Sequence, residues 1–322
     1  MVMNVSKPEN LEEAIRFLSD HPEARIVAGG TDLLPRINQK LESHDTLCYI
    51  DDLPEMSGVV AKDGGVFIGA SARLSEIAAS KELSGYTALL QAASKVASPQ
   101  IRNQATIGGN ILQENRCMYF NNHVPWSDVN HCFKWGGKRC FQYKSSKECV
   151  ALFQSDVAPV LIAFDADAVI YGPDGRRNLP VEELYLTAGR KNIAHNEILL
   201  GIKLPALMEG VFSAYARKTI RGSFDFPLLS CAVRLVTGED RVIKDAKVVF
   251  GSAGVMPAVF QVAEDVMVGK KINELTALAD TLKPAVSKVI MPFRDTRVNG
   301  PVRKDMAKEV FSKAITQIEQ AT

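Results

Sequence analysis

Short apolar stretches alternate with helical patterns over the first two thirds of the chain. Residues 11–21 have apolar positions three and four apart, and Asn10, followed by Glu12 and Glu13, predicts that a helix begins there. Apolar stretches bounded by turn residues predict strands at 46–53, 65–74, 158–172 and 197–205. Two further segments with helical spacing are 75–83 and 86–97. This part of the chain therefore mixes helices with strands.

The last third has a different order. Three strand patterns come first, at 211–220, 227–236 and 241–254. Three helical patterns follow, at 259–269, 274–290 and 304–320. Strands followed by helices predict a separate α+β domain. We place the boundary in the weakly patterned turn between Pro205 and Gly210, which gives domains at 1–210 and 211–322.

Composition excludes several classes of protein. The 322 residues are 46% apolar and 23% charged, which is typical of a globular chain. The net charge of +1 gives no basic surface of the kind that nucleic-acid-binding proteins carry. No apolar run approaches the roughly 20 residues that span a bilayer, and the first residues lack the apolar core of a secretory signal. We therefore expect a cytoplasmic protein with reduced thiols.

Residues 114–155 form a segment without helical or strand periodicity. Four of the six cysteines lie there, spaced C-x14-C-x7-C-x8-C: Cys117, Cys132, Cys140 and Cys149. Four thiolates can hold a zinc ion or a [4Fe-4S] cluster. The absence of a CxxC pair and the surrounding aromatic and basic residues favour the cluster, while zinc and four unrelated thiols remain alternatives. His123 and His131 are possible replacements for one ligand, and Cys48 and Cys231 are predicted core residues.

Two glycine pairs suggest a phosphate site. Gly29 and Gly30 are followed by Thr31, whereas Gly108 and Gly109 follow Thr106. Neither pair has the GxGxxG pattern of a nicotinamide site. Glycines allow backbone N–H groups to approach a pyrophosphate closely. Taken alone, each pair is better explained by a tight turn than by a phosphate site.

Several segments together resemble one family. The stretches IVAGGTDLLP (26–35), IRNQATIGGNIL (101–112), SDVAPVLIAFDA (155–166), EILLGIKLP (197–205) and AYARKTIRGSFDFPLLSCAV (214–233) occur in the order of the flavin subunits of molybdenum hydroxylases. That family includes xanthine dehydrogenases, aerobic carbon monoxide dehydrogenases and 4-hydroxybenzoyl-CoA reductase. The cysteine segment narrows the resemblance to the flavin (beta) subunit of 4-hydroxybenzoyl-CoA reductase, in which a similar loop carries a [4Fe-4S] cluster.

The resemblance implies a fold. The first domain is expected to be an FAD-binding domain of the vanillyl-alcohol-oxidase/PCMH type, with two α/β subdomains and FAD between them. The second is expected to be an α+β domain like the C-terminal domain of the carbon monoxide dehydrogenase flavoprotein, packed over the flavin. The overall class is α+β.

The resemblance also implies roles for particular residues. One loop would wrap the FAD pyrophosphate: Ile26, Val27, Ala28, Gly29, Gly30, Thr31, Asp32 and Leu33. A second pyrophosphate loop would be Ala105, Thr106, Ile107, Gly108 and Gly109. Single contacts to FAD are implied for Val96, for Asp156 at the adenosine portion, for Lys218 at the isoalloxazine and for Met118 in the same cleft. Cys117, Cys132, Cys140 and Cys149 would hold the cluster, and no catalytic acid or base is implied.

The implied function is electron transfer within a larger enzyme. The chain would carry non-covalent FAD and a [4Fe-4S] cluster for a molybdenum-containing reductase that removes an aromatic hydroxyl group on another subunit. Its partners would be a molybdopterin-binding large subunit and a small [2Fe-2S] subunit, in a dimer of heterotrimers, with a ferredoxin-like electron donor. The alternatives are a xanthine dehydrogenase-like hydroxylase that passes electrons outward, a zinc-stabilised flavoprotein acting alone, and an accessory protein without flavin.

Overall fold

A small parallel sheet is the first part of the fold. The computed structural model describes residues 3–121, 131–291 and 298–321. The first elements are β1 (Asn4–Ser6), α1 (Leu11–Asp20), β2 (Arg25–Val27), α2 (Leu33–Asn38) and β3 (Thr46–Tyr49). The strands lie in the order β1–β3–β2, and both pairs are parallel. Parallel strands need crossover connections, which α1 and α2 provide.

Helix α1 shows how the sequence pattern becomes structure. The Asn10 side chain accepts a hydrogen bond from the N–H of Glu13 at 2.9 Å, which satisfies one of the free donors of the first turn. The apolar positions at helical spacing are all buried: Leu11, Ala14, Ile15 and Leu18. The helix predicted from the spacing of these residues is confirmed.

An antiparallel sheet of five strands forms the second part. The strands of this region are β4 (Val59–Lys62), β5 (Gly65–Gly69), β6 (Asp167–Gly172), β7 (Gly175–Pro180), β8 (Tyr185–Thr187), β9 (Arg190–Lys191) and β10 (Ile198–Leu204). The five-stranded sheet has the order β4–β5–β10–β6–β7, while β8 and β9 pair separately. The central strand β10 lies between β5 and β6, although it follows β6 by about thirty residues in the chain.

The long connection from β5 to β6 carries the remaining helices of the first domain. They are α3 (Leu74–Ala79), α4 (Thr87–Lys95), α5 (Pro99–Arg102), α6 (Ile107–Leu112), α7 (Met118–Asn121) and α8 (Ala158–Ala163). The strand predicted over 158–172 is wrong in its first part, because residues 158–163 form α8 and the strand begins only at Asp167. All six residues of α8 are buried. A fully apolar run does not distinguish a buried helix from a buried strand.

A four-stranded antiparallel sheet and three helices form the last part. Its elements are β11 (Val211–Lys218), β12 (Leu229–Thr237), β13 (Ile243–Gly251), β14 (Ala258–Val259), α9 (Gln261–Met267), α10 (Leu275–Val289) and α11 (Gly300–Gln320). The three strands and three helices predicted here are confirmed, and β14 is a short addition.

The register of this sheet explains how the two parts join. Cys231 lies opposite Phe250, and both pack in the core beneath α9, α10 and α11. The next pair, Ala232 and Val249, points to the other face of the sheet and packs in the core of the first domain. The sheet is therefore covered on both faces.

Helix length and polarity also bear on membrane insertion. The longest helix in the described ranges, α11, has 21 residues and carries several Lys, Glu and Asp side chains. Among the residues that the structure describes, no helix is both long and apolar enough to cross a membrane.

Candidate functional site

A cleft of about 460 Å³ opens between the parallel sheet and the five-stranded sheet of the first domain. Its wall includes eleven of the residues predicted to bind FAD: Ile26, Val27, Ala28, Gly29, Gly30, Thr31, Asp32, Leu33, Thr106, Gly108 and Gly109. The two glycine loops are far apart in sequence, and the fold brings both to one cleft.

The first glycine loop connects β2 to α2. Gly30 has a φ of +71°, a conformation that side chains with a Cβ rarely adopt. A Cβ on Gly29 would lie 2.0 Å from the carbonyl oxygen of Gln104, so this glycine is required where the loop passes that carbonyl. Within the described ranges, the backbone N–H groups of Gly29, Gly30 and Thr31 have no hydrogen-bond acceptor in the protein. Successive free N–H groups at a glycine turn fit a pyrophosphate.

The second glycine loop is arranged differently. Thr106 caps α6, and its hydroxyl accepts a hydrogen bond from the N–H of Gly109 at 3.0 Å. The N–H of Ile107 donates to the carbonyl of Ala72, and that of Gly108 donates to the carbonyl of Ala70. The N–H groups of Ile107 and Gly108 therefore attach α6 to the end of β5 and are not free to bind phosphate. Thr106, Gly108 and Gly109 still line the cleft.

Charged residues that the sequence did not single out also line the cleft. They include Arg36, Glu114, Lys191 and His195. Asp32 accepts hydrogen bonds from Arg116 at 2.5 Å and from the N–H of Glu114 at 3.1 Å. Its carboxylate is thus occupied by protein donors and fixes the first glycine loop to residues 114–116. These charged residues lie in stretches without a pattern, so nothing in the sequence marked them.

Lys191 is the residue on this wall with the most unusual environment. Its Nζ lies 4.7 Å from the ring centroid of Phe153 and 5.3 Å from that of Tyr185. Burial lowers the pKa of Lys191 to about 8, although the charge of Glu114 acts in the opposite direction. In the described part of the chain, no acceptor is hydrogen-bonded to its ammonium group. An ammonium group in such surroundings suits an anionic ligand.

Six of the residues predicted to contact FAD do not line the cleft: Val96, Ala105, Ile107, Met118, Asp156 and Lys218. Ala105 and Ile107 belong to the second loop, but their side chains are buried in the core. Val96 follows the end of α4, and Met118 begins α7. None of these four residues is on the cleft wall, and any contact of theirs with FAD stays a prediction.

Asp156 lies at the junction of the two parts of the chain. It is buried and accepts hydrogen bonds from the Tyr215 hydroxyl at 2.5 Å and from Arg217 at 3.1 Å. Burial raises the pKa of Asp156, although Arg217 and Tyr215 oppose that shift. Lys218 forms a surface ion pair with Glu309 at 2.7 Å. Both side chains are thus engaged by the protein, away from the cleft wall.

The four cysteines of the 114–155 segment line a second, smaller pocket, here called the thiol pocket. Phe120, Phe133, Phe141 and Lys134 also line it. Paired hydrogen bonds between Arg116 and Leu152 close the base of the segment. The Cys117 thiol donates to Gln142 Oε1 at 3.0 Å, and burial raises the pKa of Cys117 to about 11. The donor set, four thiols among aromatic rings and one lysine, fits an iron–sulfur cluster.

The space within the thiol pocket is small. Its free volume is about 20 Å³, close to that of one water molecule, so the thiols would have to move apart around a cluster. In residues 3–121, 131–291 and 298–321, no three His, Cys, Asp or Glu side chains are arranged to hold a single metal ion. His131 is exposed, with Nδ1 3.1 Å from the carbonyl oxygen of Trp135, and His123 lies outside the described residues.

Comparison with known proteins identifies both parts of the chain. Residues 1–207 match the family described as the FAD binding domain in molybdopterin dehydrogenase. Residues 214–318 match the CO dehydrogenase flavoprotein C-terminal domain. The expected fold class is confirmed by these matches. The boundary at residues 210 and 211 stays a prediction.

Individual relatives agree with this. The chain is 27% identical over 314 residues to the xanthine dehydrogenase FAD-binding subunit of Escherichia coli O157:H7, with 95% of this chain and 93% of the relative covered. It is 30% identical to the aldehyde oxidoreductase FAD-binding subunit PaoB of Escherichia coli K12, over 66% of this chain and 70% of the relative. The reconstituted CO dehydrogenase from Oligotropha carboxidovorans contains a chain of similar fold, with a TM-score of 0.81, 20% identity, and coverage of 100% and 99%.

Proposed function

Because the chain belongs to the family of FAD-binding domains in molybdopterin dehydrogenases, we propose that it passes electrons between FAD in the cleft and a [4Fe-4S] cluster in the thiol pocket. The chain is an FAD-dependent oxidoreductase subunit of the molybdenum hydroxylase family. The proposal adds a second redox group to it and assigns it to a reductase like 4-hydroxybenzoyl-CoA reductase. One observation carries the proposal: four cysteines spaced over 33 residues of an unpatterned segment all line one pocket.

The cleft residues would hold FAD through its charged portion. The free N–H groups of Gly29, Gly30 and Thr31 would donate to the pyrophosphate, and Lys191 would neutralise part of the charge. When bound, FAD supplies one- and two-electron chemistry that no side chain provides. The protein would bind and orient it, and the Phe153 and Tyr185 rings beside Lys191 would exclude water from that part of the cleft.

The thiol pocket would hold the cluster through Cys117, Cys132, Cys140 and Cys149. A zinc ion is the alternative ligand. Zinc–sulfur bonds of about 2.3 Å would require four sulfur atoms about 3.8 Å apart around one point. Within the described ranges, no three Cys or His side chains converge on one metal ion in this way. A cluster would instead be held by the four thiols of the pocket, and the aromatic lining would shield it from water.

Partners are implied by the kind of chain to which this one is similar. Both relatives described above are named as FAD-binding subunits. We propose that this chain likewise assembles with a molybdopterin-binding large subunit and a small [2Fe-2S] subunit, in a dimer of heterotrimers. The aromatic substrate would bind to the large subunit. Size-exclusion of native material should then show this chain in a larger complex, and an isolated chain that turns over substrate would contradict the assembly.

The cluster is tested by paired cysteine variants. Cys132→Ala should lose its iron and acid-labile sulfide and keep its FAD, because Cys132 lines the thiol pocket and not the cleft. Cys48→Ala is the matched control, since Cys48 is buried in β3 and lines neither site. Iron content that is the same in Cys132→Ala, in the control and in the unmodified protein would contradict the assignment.

The direction of electron flow is a separate part of the proposal. We propose inward flow, from a ferredoxin-like one-electron donor through the cluster to FAD, because [4Fe-4S] clusters reach low potentials. Outward flow is the alternative, and the match to a xanthine dehydrogenase FAD-binding subunit favours it. Stopped-flow mixing with reduced ferredoxin should reduce the cluster before the flavin. Direct and rapid reduction of the flavin by NADH would favour the alternative.

A further inference from the structure

One ion pair stands between the cleft and the thiol pocket. Glu114 lines the cleft, whereas Lys134 lines the thiol pocket. The Lys134 ammonium donates a hydrogen bond to the Glu114 carboxylate. The exposed fractions of the two side chains are only 12% for Lys134 and 24% for Glu114. Charges so poorly hydrated act on their surroundings more strongly than surface charges do.

Both members of the pair are held in place. The Lys134 Nζ lies 4.9 Å from the ring centroid of Phe120. Glu114 Oε1 also accepts a hydrogen bond from the N–H of Asn115 at 2.9 Å, and Arg36 is 3.7 Å from Oε2. Burial acts to raise the pKa of Glu114, but Lys134 and Arg36 overcome it and the pKa is lowered. The Glu114 carboxylate is therefore ionised at neutral pH.

The chain connects the same two sites. Glu114 and Cys117 are three residues apart, so one short segment supplies a wall residue to each site. Arg116, directly before Cys117, is bonded to Asp32 of the first glycine loop. A change of charge in one site therefore acts on the other over a short distance.

We propose that the Lys134–Glu114 pair sets the reduction potentials of the two redox groups relative to each other. A positive charge stabilises an added electron and a negative charge destabilises it. Lys134 therefore raises the potential of the group in the thiol pocket, and Glu114 lowers that of the group in the cleft. The pair brings the two potentials together, so that electrons exchange reversibly between the groups. This inference rests on the proposed function.

The test is a redox titration of the cofactor-loaded protein, purified anaerobically with its bound subunits, with the cluster followed by EPR and the flavin by absorbance. Lys134→Met should lower the cluster potential by about 59 mV, which is a tenfold change in the equilibrium constant for one electron, and shift the flavin less. Glu114→Gln should raise both potentials, the flavin more, because it removes a negative charge. Glutamine still accepts the Lys134 hydrogen bond, so the contact itself is kept. Lys134→Arg should restore the cluster potential. Lys138→Met, at an exposed lysine of the same segment, should shift neither.

The outcomes separate this inference from the proposed function. An unmodified protein without iron or without flavin contradicts the proposed function itself. Full iron and flavin content with unchanged potentials in Lys134→Met and Glu114→Gln contradicts only the role of the ion pair. If Lys134→Met loses its cluster, Glu114→Gln decides, and unchanged potentials there overturn the inference. Equal shifts in Lys138→Met would show a general effect of charge and would overturn it as well.

Discussion

The cleft and the thiol pocket lie side by side but are built from different parts of the chain. The cleft is formed where regular elements end, and the donors that we propose for the phosphates are backbone N–H groups whose positions depend on Gly29 and Gly30. The thiol pocket lies in a segment whose helices are very short, and its donors are four side chains. The cleft should therefore be most sensitive to backbone geometry, and the thiol pocket to the identity of single side chains.

The largest expected effect is at Gly29, where a change of backbone geometry should affect the cleft and spare the thiol pocket. Gly29→Ala would place a Cβ 2.0 Å from the Gln104 carbonyl oxygen, so the loop must move. We expect FAD affinity to fall by at least about a hundredfold and the free energy of unfolding to fall by about 3 kcal/mol. Iron content should be unchanged, because the thiol pocket is built from another segment. FAD and iron per chain, with thermal unfolding, measure these effects.

Gly222 offers the matched control. A Cβ on this glycine meets no atom within 4 Å, so Gly222→Ala should keep full FAD and iron. Loss of iron together with FAD in Gly29→Ala, while the fold is retained, would show that the two sites are not built independently.

A smaller change is expected at Lys191, where stability and FAD affinity should move in opposite directions. Its pKa is lowered from 10.5 to about 8, so the buried ammonium destabilises the protein without flavin at pH 7. Lys191→Met should raise the free energy of unfolding by about 1–2 kcal/mol, the full shift being reduced because the side chain is partly exposed. FAD affinity should fall about tenfold, since one cation beside the anionic ligand is lost. Lys203→Met, at an exposed lysine of β10, should do neither.

The sign of the pH dependence follows from the lowered pKa. Below about pH 8 both the folded and the unfolded chain carry the Lys191 proton, and the cost of the buried charge is complete. Between about pH 8 and 10.5 the folded chain loses this proton before the unfolded chain does, so stability rises with pH. The advantage of Lys191→Met should therefore shrink across this range. A constant advantage measured by denaturant titration at pH 7, 8.5 and 10 would contradict the account.

The smallest effect is expected at Lys218. Its ion pair with Glu309 is exposed, and such pairs contribute less than about 1 kcal/mol. Lys218→Met should therefore leave both stability and FAD content nearly unchanged. A clear loss of FAD, or a changed flavin absorbance spectrum, would instead support the contact with the isoalloxazine that the resemblance implies.

The two sites also differ in how much of them the sequence predicts. Glycine pairs and clustered cysteines are local signals, and the structure brings each set to one place. Lys191, Glu114 and Lys134 carry no pattern of their own, since their positions depend on how distant segments pack. The difference between the two glycine loops was equally hidden, because the acceptors of the second loop, Ala70 and Ala72, lie more than thirty residues earlier.

The fold was predictable where period and turn residues agree. The last three helices and the strands before them follow their patterns closely, and so does α1. The predicted strand at 158–172 failed over residues 158–166, and 158–163 form α8 instead, because an apolar run buried on all sides has no polar face to reveal its period. Asp156 was similarly unreadable, since the partners that bury it come from β11, about sixty residues away.

The central claim, two redox groups on one chain, is tested most directly by measuring FAD, iron, acid-labile sulfide and zinc per chain in anaerobically purified protein. The account predicts about one FAD, about four iron and about four sulfide per chain, with negligible zinc. About one zinc per chain without sulfide would contradict the cluster, and so would FAD without any bound metal.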